Sequence, residues 1–192
     1  MRRVGYYISL TMDGMYAEPD GGLAPFEPAE DEHRYANDLM RETGDEVMGR
    51  VMYDVMEYWD ELDVDDPDQP DVEREFARLW RDTPKHVVSR GVPELRGNAT
   101  HLEGDVAEAV RAMKAGDGTP IGIGGGAELF ATLSDAGLID DYRFLIVPTA
   151  IGNGKALFAS LASPLRLRLT GTRTFSSGAV LHEYVRADAA GT

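Results

Sequence analysis

With 192 residues, 43% of them hydrophobic, the chain has enough apolar material for one sizeable core, and a single domain across 1–192 is expected. It contains no cysteine, which excludes disulfides, thiolate metal sites and a cysteine nucleophile, and which fits a reducing, cytoplasmic setting. Nineteen basic against thirty-four acidic residues give a net charge of −15, which repels phosphate backbones and argues against nucleic-acid binding. Any site for an anionic cofactor must then be a local island of cationic side chains and backbone N–H groups.

Arg2 and Arg3 are not followed by a long apolar run, because Asp13 interrupts soon after Leu10; neither a signal peptide nor a membrane span is expected. Arg3 to Leu10 reads as a first strand, and the Gly-, Pro- and Asp-rich stretch from Asp13 to Pro28 as a loop. Glu30 to Glu42 reads as a helix with Tyr35, Leu39 and Met40 near helical spacing. Glu46 to Gly49 is a short buried strand. Arg50 to Trp59 is a helix with Val51, Val55, Met56 and Trp59 on one side. The acidic segment from Asp60 to Asp71 is a surface loop, and a helix follows to Asp82 with Val72, Phe76, Leu79 and Trp80 on its apolar face.

Lys85 to Ser89 and Thr100 to Leu102 read as strands, and Val106 to Lys114 as an amphipathic helix capped by Asp105. Thr119 to Ile123 is a strand running into Gly124, Gly125 and Gly126. Ala127 to Ala136 is a helix closed by Gly137. Tyr142 to Val147 is an apolar strand stopped by Pro148. Leu165 to Thr174 and Val180 to Val185 form an antiparallel pair joined at Phe175-Ser176-Ser177-Gly178. Strands and helices alternate and then end in a hairpin. The expected fold class is therefore α/β: three α/β/α layers, with a mostly parallel central sheet and a C-terminal antiparallel hairpin.

Four places suggest a ligand. Ile121 to Phe130 takes a buried strand through three glycines into a helix start, where bare N–H groups and the helix dipole suit a pyrophosphate; the same pattern is also a plain tight turn. Gly122, Gly124 and Ala127 match G-x-G-x-x-A, but the motif is not on the first strand and no acid ends the next one, so the Rossmann reading fails. Gly49 and Arg50 sit between a strand and a helix, where an arginine is mildly unfavourable with the dipole unless a ligand is present. Ser89 and Arg90 end a strand with a hydroxyl and a guanidinium suited to a phosphate monoester, or form a solvated strand end. Asp13-Gly14 follows the first strand, as a cleft carboxylate or as a turn. Neither a G-x-S-x-G elbow nor an H-E-x-x-H pair is present, and the four histidines are scattered, so no metal site is expected.

Taken together, Tyr7 to Ala17, Val47 to Trp59, His86 to Arg90, Gly122 to Phe130, Val147 to Phe158 and Arg173 to Tyr184 give the chain its resemblance to a known family. It resembles the dihydrofolate-reductase-like superfamily, and more closely the reductase domain of the riboflavin-pathway bifunctional deaminase-reductases and their stand-alone relatives. The resemblance implies NADPH as cofactor and hydride transfer to a small-molecule substrate. Gly49 and Arg50 would hold the pyrophosphate, Ser89 and Arg90 the adenosine 2′-phosphate, and Gly124, Gly125, Gly126, Ala127 and Leu129 would line the pyrophosphate and nicotinamide. Asp13 would lie near the nicotinamide, and Gly152 to Phe158 would be a structural loop.

Two departures stand out. Met52 replaces a threonine common in relatives, which removes one hydrogen bond of about 0.5–1.5 kcal/mol. The missing cysteines rule out the zinc deaminase chemistry of the other half of the bifunctional proteins. Dihydrofolate reductases place a buried carboxylate on the first helix. Here Asp31, Glu32 and Asn37 lie on that helix, most of them expected on a solvated face, with Glu32 as the candidate acid. The readings carried forward are a reductase of the 5-amino-6-(5-phosphoribosylamino)uracil type or a relative with another heterocyclic substrate, a dihydrofolate or pterin reductase, and a nucleotide-binding protein without turnover. The long C-terminal strands, and the resemblance, imply a homodimer.

Overall fold

The computed structural model describes residues 1–187. In chain order its strands are β1 (Val4–Thr11), β2 (Met15–Ala17), β3 (Asp45–Gly49), β4 (Lys85–Val88), β5 (Ala99–Leu102), β6 (Ile121–Gly124), β7 (Asp141–Val147), β8 (Lys155–Ala156), β9 (Leu167–Thr174) and β10 (Val180–Arg186). The helices are α1 (Glu30–Glu42), α2 (Arg50–Met56), α3 (Tyr58–Glu61), α4 (Asp71–Asp82), α5 (Val106–Ala115) and α6 (Ala127–Asp135). Eight strands form one sheet in the order β5-β4-β3-β6-β1-β7-β10-β9, and β2 pairs with β8 separately. The first six of these strands run parallel, and β10 enters antiparallel between β7 and β9. This is the expected α/β architecture, including its C-terminal hairpin.

The two sheet faces are covered unequally. Val4, Tyr6, Ile8 and Leu10 of β1, Ile121 and Ile123 of β6, and Tyr142 and Phe144 of β7 pack against Val110 of α5 and Phe130 and Leu133 of α6, all buried. On the opposite face Met48 and Val87 pack with Met40 of α1 and Phe76 and Trp80 of α4. Between these clusters Gly5, Tyr7 and Ser9 of β1 and Gly122 and Gly124 of β6 stay half-buried. A parallel sheet covered by helices is normally closed on both faces. The half-buried run therefore marks a hollow beneath α1.

Local signals behave as their chemistry dictates. The Asp105 side chain accepts from the Ala107 and Glu108 N–H groups and caps α5. Gly137, at φ 68°, lets its own N–H reach Ser134 O and the Leu138 N–H reach Leu133 O, ending α6 with the paired bonds of a Schellman motif.

Three expectations change. The helix expected over Arg50 to Trp59 is broken at Glu57 into α2 and α3. Its core residue is Tyr53, fully buried with Oη accepting from the Arg96 N–H, while Val51 and Val55 are exposed. The loop from Asp13 to Pro28 contains β2 and a 3-10 turn at Ala24–Phe26. On α1 the buried residues are Glu32, His33, Asn37 and Met40; of the expected Tyr35, Leu39 and Met40, Met40 is buried and the other two are half-buried. Asn37 points inward because its Nδ2 bridges to Val72 O and Glu75 Oε2 of α4, so Glu32 and Asn37 are not on a solvated face. The expected domain runs to 192; residues 188–192 lie outside the described residues.

Candidate functional site

A cleft of about 1610 Å³ opens along the hollow and continues over the C-terminal ends of the parallel strands, where ligands of open α/β sheets bind. β4, β3 and β6 are neighbours in the sheet, so the turns that follow them stand side by side. Ser89 and Arg90 follow β4, Gly49 and Arg50 join β3 to α2, and Gly124 to Ala127 join β6 to α6. All of these residues, together with Leu129 and Glu32, line the one cleft.

The glycines are there for space. A Cβ on Gly125 would stand 3.0 Å from Leu129 Cδ2 and 3.4 Å from the Gly49 nitrogen, so the two turns approach closely only without one. A Cβ on Gly126 would stand 2.7 Å from Tyr16 Oη. Above Gly49 the space is open. No side chain caps the start of α6, which leaves its first N–H groups free to meet an anion. The Tyr6 hydroxyl donates to Gly125 O at 2.6 Å and ties the turn to the core. Bare amides, open space and cationic side chains together fit a dinucleotide diphosphate. Arg90 is almost fully exposed and lies 3.8 Å from Glu128 Oε2, while Arg50 pairs with Asp54 on its own helix. Met52 lies against Gly124, with its Cγ 3.7 Å from where a Cβ would be.

Asp13 is outside the cleft lining. Its carboxylate accepts from Thr11 Oγ1 at 2.5 Å, from the Gly152 N–H at 2.7 Å and from the Ile151 N–H at 3.4 Å. The Thr11 hydroxyl, followed by these amides, holds it below the usual carboxylate range. Asp13 thus pins the turn after β1 to the loop before β8, and the Met15 N–H donates to the same Thr11 hydroxyl. That turn carries Tyr16 to Gly126. Glu32 is buried in the cleft wall and accepts a hydrogen bond from Ser177 Oγ, from the turn between β9 and β10.

The sequence reading passed over two cleft groups. Lys155 of β8 reaches the cleft and makes no ion pair or hydrogen bond among the described residues. Glu46 of β3 faces the hollow, and burial pushes its carboxyl up to about 8 against the lowering effect of Lys85. Lys85 is itself buried and lowered to about 8 by burial. Its ammonium donates to Trp80 O, to Thr83 O at 2.8 Å and to Asn98 Oδ1 at 2.7 Å, closing the end of α4.

The scan of family models places residues 3–181 in the RibD C-terminal domain family. The chain belongs to that family. As a RibD-type reductase domain it is 30% identical over 179 residues to the uncharacterized protein YyaP of Bacillus subtilis (strain 168), covering 93% of this chain and 92% of YyaP. Among solved structures, a Thermotoga maritima diaminohydroxyphosphoribosylaminopyrimidine deaminase/5-amino-6-(5-phosphoribosylamino)uracil reductase superposes with TM-score 0.68 at 15% identity, over 97% of this chain and 57% of that one. Dihydrofolate reductase from Enterococcus faecalis, complexed with NADP(H), superposes with TM-score 0.64 at 14% identity, over 97% of each chain. The RibD-type domain thus shares the dihydrofolate-reductase-like fold. No described helix is long and apolar enough to cross a membrane.

The Glu46 environment sets a pH dependence of stability. The folded chain keeps this proton up to about pH 8, whereas the unfolded chain releases it near the ordinary glutamate value of 4.5. The folded state binds more protons in between, so stability falls as pH rises from 4.5 to about 8. The Lys85 contribution acts above that window, between about 8 and 10.5. Urea midpoints should fall from about pH 5 to about pH 8 in the wild type, and that fall should be lost in Glu46→Gln, where the lowered pKa of buried His33 then favours the folded state as pH rises.

Proposed function

We propose that the chain is an NADPH-dependent reductase acting on a small heterocycle, of the 5-amino-6-(5-phosphoribosylamino)uracil reductase type or of a stand-alone relative's type. What carries the reading is the adjacency of the three anion-directed turns at the ends of β4, β3 and β6, opening into the hollow beneath α1. Ser89 and Arg90 would take the 2′-phosphate, with a bidentate guanidinium grip as the source of preference over NADH. Gly49, Arg50 and the amides from Gly125 to Ala127 would hold the diphosphate, and Leu129 would pack beside it. NADPH, when bound, supplies the hydride. The protein's part is to orient the substrate against it and keep water out. Lys155, a cleft cation without an acidic partner among the described residues in a chain of net charge −15, suits the phosphate of a phosphoribosyl substrate.

A second reading, reduction of a dihydrofolate or pterin, is favoured by one observation: Glu32 on α1 is buried in the cleft wall. NADPH oxidation with the phosphoribosylaminouracil and with dihydrofolate separates the two. Binding of NADPH without turnover of either would point to a nucleotide-binding role.

The proposal extends to a cytoplasmic homodimer that uses the outer edge of β9, the last strand of the sheet, whose edge is unpaired among the described residues. Sedimentation at micromolar concentration should give twice the chain mass; a monomer ends the dimer proposal. For the cofactor, Arg90→Ala should lose NADPH affinity by roughly 10- to 100-fold, the equivalent of one charge-assisted hydrogen-bonding group, with NADH binding unchanged. Fluorescence titration with both nucleotides measures it, and equal losses for the two would refute the 2′-phosphate role.

A further inference from the structure

The hollow beneath α1 holds one acid that the cofactor reading leaves idle. Glu46 stands in register with Lys85 on one side and Gly122 on the other, and Gly122 is in register with Gly5. Two neighbouring glycines free the inner sheet face of side chains across adjacent strands, spaced about 4.8 Å apart. The Glu46 carboxyl leans into that gap: a Cβ on Gly122 would stand 2.0 Å from Oε1, and one on Gly124 3.9 Å from Oε2. From the other side Arg143 leans over Gly5, its Nη1 3.2 Å from the position of a Cβ there. A carboxyl and a guanidinium thus flank a flat floor made of backbone. That floor lies within the same cleft as the glycine turn after β6.

The other ionisable groups of the elements around Glu46 are already engaged or differently placed. Lys85 of β4 is held by three acceptors, Arg143 of β7 reaches Glu183 at 3.3 Å, and Asp141 of β7 pairs with Arg3. Tyr7 of β1 and Glu32 and His33 of α1 line the cleft, with Glu32 bound to Ser177, and β6 presents glycine. Among the described residues two cleft acids, Glu42 at the end of α1 and Glu46, lack any hydrogen-bond or ion-pair partner, and of the two Glu42 is exposed while Glu46 is half-buried over the glycine floor. An enclosed carboxyl without a partner is favoured in its neutral, proton-bearing form.

We propose that Glu46 is the catalytic acid of this reductase, donating its proton to the nitrogen of a C=N bond, either the ring C=N of a dihydropterin or the open-chain imine formed when a ribosylamine's ring C–O bond breaks and its oxygen becomes a hydroxyl, in a heterocyclic substrate laid on the Gly5–Gly122 floor. The inference rests on the reductase reading above. Hydride from a dihydronicotinamide forms the new C–H bond, the C=N π pair moves onto nitrogen, and that nitrogen takes the Glu46 proton as the O–H bond breaks. The balance is one saturated C–N bond bearing two new hydrogens, one oxidised nicotinamide and one Glu46 carboxylate, which water reprotonates.

The test compares wild type, Glu46→Gln and Glu46→Asp. Infrared difference spectra between acid and alkaline pH, recorded without substrate, should show a protonated-carboxyl band that titrates near pH 8 and is missing from Glu46→Gln. NADPH affinity should be that of wild type in both variants. Turnover of NADPH with 5-amino-6-(5-phosphoribosylamino)uracil or dihydrofolate should fall by roughly 10²-fold or more in Glu46→Gln, with partial recovery in Glu46→Asp and loss of the alkaline limb of the rate profile in Glu46→Gln. A carboxylate already ionised at acid pH, or a Glu46→Gln variant with wild-type rate and profile, overturns the proposal and leaves the reductase reading standing. Wild type that binds NADPH but turns over neither substrate overturns both.

Discussion

β3 pairs with β6 in parallel register from Asp45 with Ile121 to Met48 with Gly124, and a slip of β3 by one residue would turn its side chains to the opposite face of the sheet. This one ladder positions the two halves of the cleft together. At its C-terminal end it brings the Gly49 nitrogen against Gly125, so that two anion-directed turns share one space. Lower down it lays the Glu46 carboxyl over Gly122. The glycine turn and the Glu46 carboxyl are therefore positioned by the same ladder of hydrogen bonds.

A hollow in one sheet face leaves apolar surface uncovered, and the stability of the domain has to come from the other face. There Tyr6, Ile121, Ile123, Phe130, Leu133 and Tyr142 are buried almost completely. Full burial of such side chains contributes about 1.5–3 kcal/mol each. The Tyr6 hydroxyl extends that rigid layer directly into the glycine turn. On the ligand side, by contrast, cations and acids sit in or near the cleft, with Arg90 beside Glu128 and Arg50 beside Asp54. In a chain of net charge −15 both guanidinium groups have acidic neighbours, and the Arg90–Glu128 pair, at 3.8 Å and almost fully exposed, contributes little to holding Arg90 in place.

The three turns that meet at the cleft are legible in the sequence as turns because their signals are local. Gly49-Arg50, Ser89-Arg90 and Gly124 to Ala127 each sit at a strand end, and each also reads as a plain turn or a solvated strand end; their adjacency comes from the strand order. The alternation of elements likewise gave the layer order and the hairpin. Glu46 was not legible, since an acid in a short strand reads as ordinary alternation; its meaning comes from Gly122 and Gly5 on strands far away in the chain. The inner face of α1 is not legible for a related reason: Asn37 faces inward because of acceptors on α4, which no periodicity within the helix records. Asp13 was read as a cleft carboxylate or a turn residue, and its bonds to the amides of Ile151 and Gly152 give it a place in a turn-to-loop junction. Lys155 escaped notice because its segment resembled a structural loop.

The central claim is that one cleft seats NADPH across the ends of β4, β3 and β6 with its reactive end toward Glu46. A crystal structure of the chain with NADP⁺ tests it most directly. The account predicts the 2′-phosphate on Ser89 and Arg90, the diphosphate between Gly49-Arg50 and Gly125 to Ala127, and the nicotinamide at the Gly124 side of the hollow. A dinucleotide bound elsewhere, or in the reverse direction along the cleft, would contradict it.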